Sequence, residues 1–332
     1  MLITRGYYGT VRITEVPMSE RTELSLPDGV RLNVEAYGPE DAPLTVVLAH
    51  GWCQDRRTWK HQVAALRLLG ARRPRVIVYD TRGHGRSGAT GLGGATLGQL
   101  GEDLAEVLRR YAPRGPVVLG GHSMGGMTIM EFAHAYPGVF AERVAGLLFV
   151  STTAEGHTHT QYGLPARIAA LMRTGETIGA GLLARSGPWR PHRALLPALR
   201  PAVRWLLFGD DCDEEALDLA MRCFGRASLR SIGAFRPSIG AQQRLDTLAE
   251  LGDVPATVLV GERDRLTPTA CARSIAEALP CAELRVVPGA GHMLPLERPH
   301  DVSAALTAIV ERATPAARCR IRRIASTLRK AA

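Results

Sequence analysis

Between Val30 and Tyr37 the apolar residues Val30, Leu32, Val34 and Ala36 alternate with polar partners. Together with Thr22 to Leu26, on the other side of Pro27-Asp28-Gly29, this pattern predicts a β-hairpin. Beyond Gly38-Pro39 the alternation gives way to short unbroken apolar runs separated by helical periodicity. The runs Leu44 to Ala49, Arg75 to Tyr79, Pro116 to Leu119 and Val144 to Val150 read as strands buried on both faces. Helices are expected between them, near Arg57 to Leu69, at Leu97 to Tyr111 and at Met124 to Tyr136. In the second of these, Leu97, Leu100, Leu104, Val107, Leu108 and Tyr111 fall on one helical face. This βαβ alternation predicts an α/β fold with a mostly parallel sheet covered on both sides.

From about Ala154 to Arg244 the rhythm changes. Apolar stripes recur at helical spacing, as in Leu164, Ile168, Leu171 and Met172, and again in Leu195, Leu199, Val203 and Leu206, with no strand pattern between them. The sheet pattern then resumes with Ala256 to Val260, a helix near Ala270 to Leu279, Glu283 to Val287 and a final helix around Asp301 to Arg312. The expected organisation is a core of residues 20–153 and 245–313, an inserted helical cap of residues 154–244, and a tail of residues 314–332.

Composition changes this picture little. Hydrophobic residues make up 45% and charged ones 22%, which is ordinary globular usage, and no apolar run approaches a membrane span. The chain begins without the apolar stretch of a signal peptide, and the six cysteines form no C-x-x-C pair. A cytoplasmic protein with reduced thiols is the expectation. The net charge of +9 suggests a nucleic-acid partner until it is located. Six basic residues (Arg318, Arg320, Arg322, Arg323, Arg329 and Lys330), with no acidic one, fall in the last fifteen positions. With Ile321, Ile324, Ala325 and Leu328 they form a basic amphipathic pattern, read first as a solvated tail and second as a weak contact with an anionic membrane surface. No nucleic-acid partner is expected.

The candidate chemistry sits at strand ends. Gly121-His122-Ser123-Met124-Gly125 follows a buried strand and opens a helix, the pattern of a nucleophile elbow that exposes a serine hydroxyl on a strained turn. Asp264 follows the strand ending at Val260, and His292 follows the next strand, in Gly291-His292-Met293. In a parallel sheet these ends share one edge, so a serine, a base and an orienting carboxylate distant in sequence can meet there. A developing oxyanion needs two backbone donors; Met124, next to the serine, and Trp52, in the loop His50-Gly51-Trp52, are the candidates. Glu262 and Asp253 are weaker candidates for the acid.

The motifs His50-Gly51-Trp52, Asp80-Thr81-Arg82-Gly83-His84-Gly85-Arg86-Ser87, the elbow, Gly261 to Pro268, and Gly291-His292 with Glu297-Arg298-Pro299 occur in one order. In these the chain resembles the α/β-hydrolase superfamily, in particular serine esterases and lipases with a helical cap, from about Thr22 to Arg312. The resemblance implies about eight mostly parallel strands and a cap inserted after the sixth. It implies hydrolysis of a carboxylic ester or related acyl compound by Ser123, His292 and Asp264, on a small-molecule acyl substrate, with neither metal nor organic cofactor. Epoxide hydrolases and dehalogenases share the first two motifs but carry an aspartate where this chain has Ser123. Thioesterase, lactonase and perhydrolase activities fit the same triad, and a non-hydrolytic cyclase or ligand-binding protein is the alternative of a different class.

Other residues have plainer readings. The loop from Asp80 to Ser87 is expected to be structural, with its Asp and Arg satisfying buried backbone, and His84 and His122 to belong to the scaffold. His157 and His159 are expected to be solvent exposed rather than metal ligands. Leu171, Leu182, Trp189, Leu199, Trp205 and Phe208 are candidates to line an acyl pocket.

Overall fold

The computed structural model describes residues 20–70, 73–191 and 193–314, so most of the basic tail, with Cys319, lies outside the described residues. Strands β1 (Glu20–Ser25), β2 (Arg31–Tyr37), β3 (Thr45–Ala49), β4 (Arg75–Tyr79), β5 (Val117–His122), β6 (Val144–Val150), β7 (Ala256–Gly261) and β8 (Ala282–Val287) form one sheet in the order β1-β2-β4-β3-β5-β6-β7-β8. The first two form the expected hairpin, with Leu24 opposite Leu32. Strand β2 also runs antiparallel to β4, and every later pairing is parallel. Strands β3 to β7 are buried at every position, which is why they read as unbroken apolar runs.

The helices are α1 (Lys60–Arg67), α2 (Leu97–Tyr111), α3 (Met124–Ala135), α4 (Pro137–Arg143), α5 (Ala166–Arg185), α6 (Leu196–Leu207), α7 (Glu214–Phe224), α8 (Leu229–Ala241), α9 (Leu245–Ala249), α10 (Thr269–Ala278), α11 (Leu294–Glu297) and α12 (Pro299–Ala313). Helices α1 and α12 cover one face of the sheet, and α2, α3 and α10 the other. On one side Val63 of α1 and Val302, Leu306 and Ile309 of α12 pack against Val46, Leu48 and Val118. On the other, Leu104 of α2, Ile129 of α3 and Ile275 of α10 pack against Val47, Leu119 and Val258. Successive residues of β3 therefore feed two separate cores, as the alternation of a strand requires.

Two local features differ from the periodicity. The segment from Arg57 does not begin as an α-helix: a 3-10 turn (Arg56–Trp59), capped by the Asp55 carboxylate accepting from the Arg57 amide at 3.0 Å, precedes α1. Helix α4 was hidden because Pro137 both stops α3 and supplies the first residue of the next helix. Among the described residues no strand lies between Val150 and Ala256; that stretch carries α5 to α9.

Helix α3 leaves the end of β5 so steeply that backbones touch. A Cβ on Gly125 would overlap the Ala49 carbonyl of β3, and one on Gly121 would overlap the backbone of Gly125 and Gly126. In α5, by contrast, a Cβ on Gly175 would meet nothing within 4 Å. Gly125→Ala should cost more than about 3 kcal/mol, whereas Gly175→Ala should stabilise by roughly 0.5 to 1 kcal/mol. Denaturant unfolding of both variants checks this, and similar small effects at both sites would contradict it.

Candidate active site

Ser123 stands between β5 and α3 with φ +52° and ψ −119°, a conformation that side-chain-bearing residues rarely adopt. The strain is held from both sides. Its amide donates to the Val150 carbonyl at 2.9 Å, and its carbonyl accepts from the Thr152 hydroxyl at 2.7 Å and the Gly126 amide at 2.9 Å.

Asp264 and His292 come together at the ends of β7 and β8. The His292 Nδ1–H donates to Asp264 Oδ2 at 2.9 Å, with Oδ1 at 3.1 Å. Asp264 also accepts from the amides of Leu266 and Thr267 and from the Thr267 hydroxyl, each at 2.9 Å. Burial alone would push its carboxyl up. The imidazole and these hydrogen bonds outweigh that and hold it below the usual carboxylate range. With Nδ1 committed to the carboxylate, His292 presents Nε2 as an acceptor. Of the weaker acid candidates, Glu262 accepts from the Gly289 amide and Asp253 lies by Cys281.

Ser123, His292, Trp52 and Met124 border one cavity of about 270 Å³. Met124 opens α3, and the first amides of a helix have no acceptor within it. In the opposite loop the Cys53 amide is engaged with His84 Nε2 at 3.1 Å, so Trp52 is the neighbouring residue whose amide can serve the cavity.

Residues 46–305 match the sequence model of the alpha/beta hydrolase family. The chain belongs to that family. RutD of Variovorax paradoxus, provisionally named a carbamate hydrolase, is 30% identical over 265 residues, covering 79% of this chain and 89% of its own. The 3-oxoadipate enol-lactonase 1 of Acinetobacter baylyi is 27% identical over 274 residues, 82% and 90% of the two chains. Among solved structures, a thermophilic esterase from Thermogutta terrifontis superposes with TM-score 0.69 at 26% identity, over 89% of this chain and 99% of that one. This alpha/beta hydrolase is thus a hydrolase with relatives of several bond specificities.

The hydrolase's loops are fixed by buried polar groups. Asp80 accepts from the amides of Arg56 and Arg86, each at 2.9 Å, and from Asn33 Nδ2 at 3.0 Å, the structural use expected of it. Arg82 departs from the expectation: it satisfies no buried backbone but pairs with the side chains of Asp103 and Asp28, each at 2.6 Å. His50 donates to the Gly51 carbonyl at 2.8 Å and accepts from the Thr81 amide at 2.9 Å, bridging the two loops beside the cavity. Burial lowers the pKa of His50 to about 4 and of His84 to about 3, so both are neutral spacers at pH 7. His122 donates Nε2–H to the His292 carbonyl at 3.0 Å, and burial beside His292 takes its pKa to about 3.

Two groups escaped the sequence reading. Glu297 accepts from the amides of Gly209, Gly291 and Met293 at 2.8 to 3.0 Å, and so holds the histidine loop from both sides. Burial pushes its carboxyl up against the pull of those three amides. Its sequence signal was its place in Glu297-Arg298-Pro299, five residues after His292, which carried no indication of its partners. The second group corrects the reading of His157 as solvent exposed. It is half-buried, borders the cavity and bonds Arg236, which also pairs with Glu176; Tyr162 donates to Glu176 at 2.7 Å. Burial and the adjacent guanidinium lower the His157 pKa to about 4. His159 is also half-buried, against Glu155 at 3.0 Å. Among the described residues no cluster of metal-ligating side chains occurs.

The pocket candidates also need correction. Of the six, only Leu199 borders the cavity; the apolar wall is made instead by Val203, Leu206, Leu207, Phe224, Ile239 and Met127. Phe208 is buried beneath, against Leu217 and Met293, while Leu171, Leu182 and Trp189 are exposed. Periodicity identified the stripes but could not tell their inward from their outward side.

The folded Asp264 carboxyl titrates below its unfolded value of about 3.9. Its stabilisation is therefore complete above that value and is lost as pH falls through the folded one. The stability gap between wild type and Asp264→Asn should narrow between about pH 5 and about pH 3. Denaturant unfolding at the two pH values measures the gap, and a gap of constant size would contradict the assignment.

Proposed function

We propose that this hydrolase cleaves a carboxylic ester, or a closely related acyl compound, through an acyl-enzyme intermediate on Ser123. The observation that carries the reading is a strained serine and an aspartate-anchored histidine bordering one apolar cavity. The Ser123 hydroxyl attacks the acyl carbonyl while His292 Nε2 takes its proton, and Asp264 fixes the tautomer and stabilises the imidazolium. The amides of Trp52 and Met124 receive the oxyanion. His292 then returns the proton to the leaving alcohol, water repeats the sequence on the acyl-enzyme, and the acid is released.

Residues 154–244 form the cap in this proposal, and what supports it is that the helices between β6 and β7 supply most of the apolar wall. The relative named as an enol-lactonase favours cyclic esters as a second substrate class, handled by the same groups. A reducing, cytoplasmic setting belongs to the proposal, in keeping with five free cysteines among the described residues. No helix among the described residues is long and apolar enough to cross a membrane.

Ser123→Ala should lower kcat on p-nitrophenyl esters by about a thousandfold or more without shifting the unfolding midpoint. Wild type should bind a fluorophosphonate covalently at Ser123, and a panel of linear esters, thioesters and lactones ranks the bond preference. A variant that keeps most of its activity, or a probe that labels another residue, would overturn the proposal.

A further inference from the structure

Helix α5 is amphipathic in the wrong sense for a core helix. Its buried residues are Ala169 and Ala180, and it lies so close on α8 that a Cβ on Gly233 would overlap the Ala180 carbonyl. The large apolar side chains point the other way. Leu171 is 73% exposed, Leu182 67%, Ile178 62% and Ile168 50%, and Trp189, four residues past the helix end, is 71% exposed. Isolated exposed aliphatic side chains are ordinary, but two leucines and two isoleucines on one face of one helix form a patch, and such patches mark contact surfaces.

The charges around the patch select its partner. Arg167 and Arg185 stand exposed at the two ends of α5, while Arg190, after Trp189, donates to the Gly85 carbonyl at 3.1 Å. The single acidic residue of the helix, Glu176, is half-buried and paired with Arg236, so the exposed face carries cations alone. A second copy laid antiparallel on the same face would set cation against cation. The basic tail of residues 315–332 would be repelled likewise. An anionic lipid surface offers both an apolar layer for the leucines and phosphates for the arginines, and tryptophan suits the boundary between them.

We propose that the exposed face of α5, with Trp189, is a docking surface for an anionic lipid bilayer, on which the helix lies in the plane of the interface. Leu171 and Leu182 do not border the cavity, so docking and turnover are separable. The basic tail adds attraction of its own, and the apolar contact belongs to α5.

The test is co-sedimentation of the full chain with phosphatidylcholine vesicles, alone or with about a third phosphatidylglycerol, at low and high salt. Wild type should bind the anionic vesicles preferentially and lose affinity as salt rises. L171Q/L182Q should weaken binding about tenfold or more, while hydrolysis of p-nitrophenyl acetate and the unfolding midpoint stay unchanged. A full-length variant with Arg318, Arg320, Arg322 and Arg323 changed to Gln should retain the part of the binding that L171Q/L182Q removes. Binding abolished by the tail variant and untouched by L171Q/L182Q would overturn the proposal. So would absence of vesicle binding, or a wild-type dimer that L171Q/L182Q dissociates.

Discussion

Close approach of backbone to backbone at the end of β5 is the constraint on which the rest of this hydrolase depends. Gly125 lies on the Ala49 carbonyl, Gly121 under the start of α3, and a Cβ on Gly51 would stand 2.8 Å from His122 Nδ1 and 3.1 Å from the Ser123 Cβ. Three glycines thus let a strand, a helix and the loop after β3 meet where side chains would hold them apart. Ser123 takes its unfavourable φ because its amide, its carbonyl and its neighbours are already committed. The same approach brings the Trp52 loop opposite the first turn of α3, so the strained residue and the proposed oxyanion donors follow from one packing decision.

Around that contact the loops are held by buried polar groups. Neutral His50 and His84 bridge the Trp52 loop to the Asp80 loop, Asp80 gathers amides from two segments, and Glu297 gathers three around His292. Buried pairs such as Arg82 with Asp103 contribute less to stability than their short distances suggest, because both charges gave up water. Their value lies in geometry: an arginine forked onto one carboxylate admits few loop conformations. The imidazole of His292 is accordingly fixed at its Nδ1 by Asp264 and Thr267 and at its main chain by Leu207 and His122.

The sheet was legible in the chain because its strands carry either alternation or unbroken apolar runs. Val30 to Ala36 alternates and forms the hairpin with one polar side; Leu44 to Ala49 does not alternate and lies in the middle of the sheet. The elbow was legible because sterics demand glycine at fixed offsets from the serine, and Asp264 because it lies in the short loop that follows its strand. What stayed hidden depends on three-dimensional direction. Leu171 and Leu182 have the spacing of pocket residues, yet helix α5 turns its alanines inward against Gly233. His157 and Arg236 are 79 positions apart and meet only because α8 packs beside the loop after β6. Glu297 sat in a recognised motif, but its three amide partners come from two separate loops.

In the proposed mechanism a tetrahedral adduct on Ser123 has its oxygen received by the backbone on either side of the cavity. A crystal structure of the protein with an alkyl boronic acid measures this directly. Boron should be bonded to Ser123 Oγ, with one boronate oxygen within about 2.7 to 3.1 Å of both the Trp52 and Met124 amides and a second oxygen facing His292 Nε2. Boron bonded elsewhere, or an adduct on Ser123 whose oxygens contact neither amide, would contradict it.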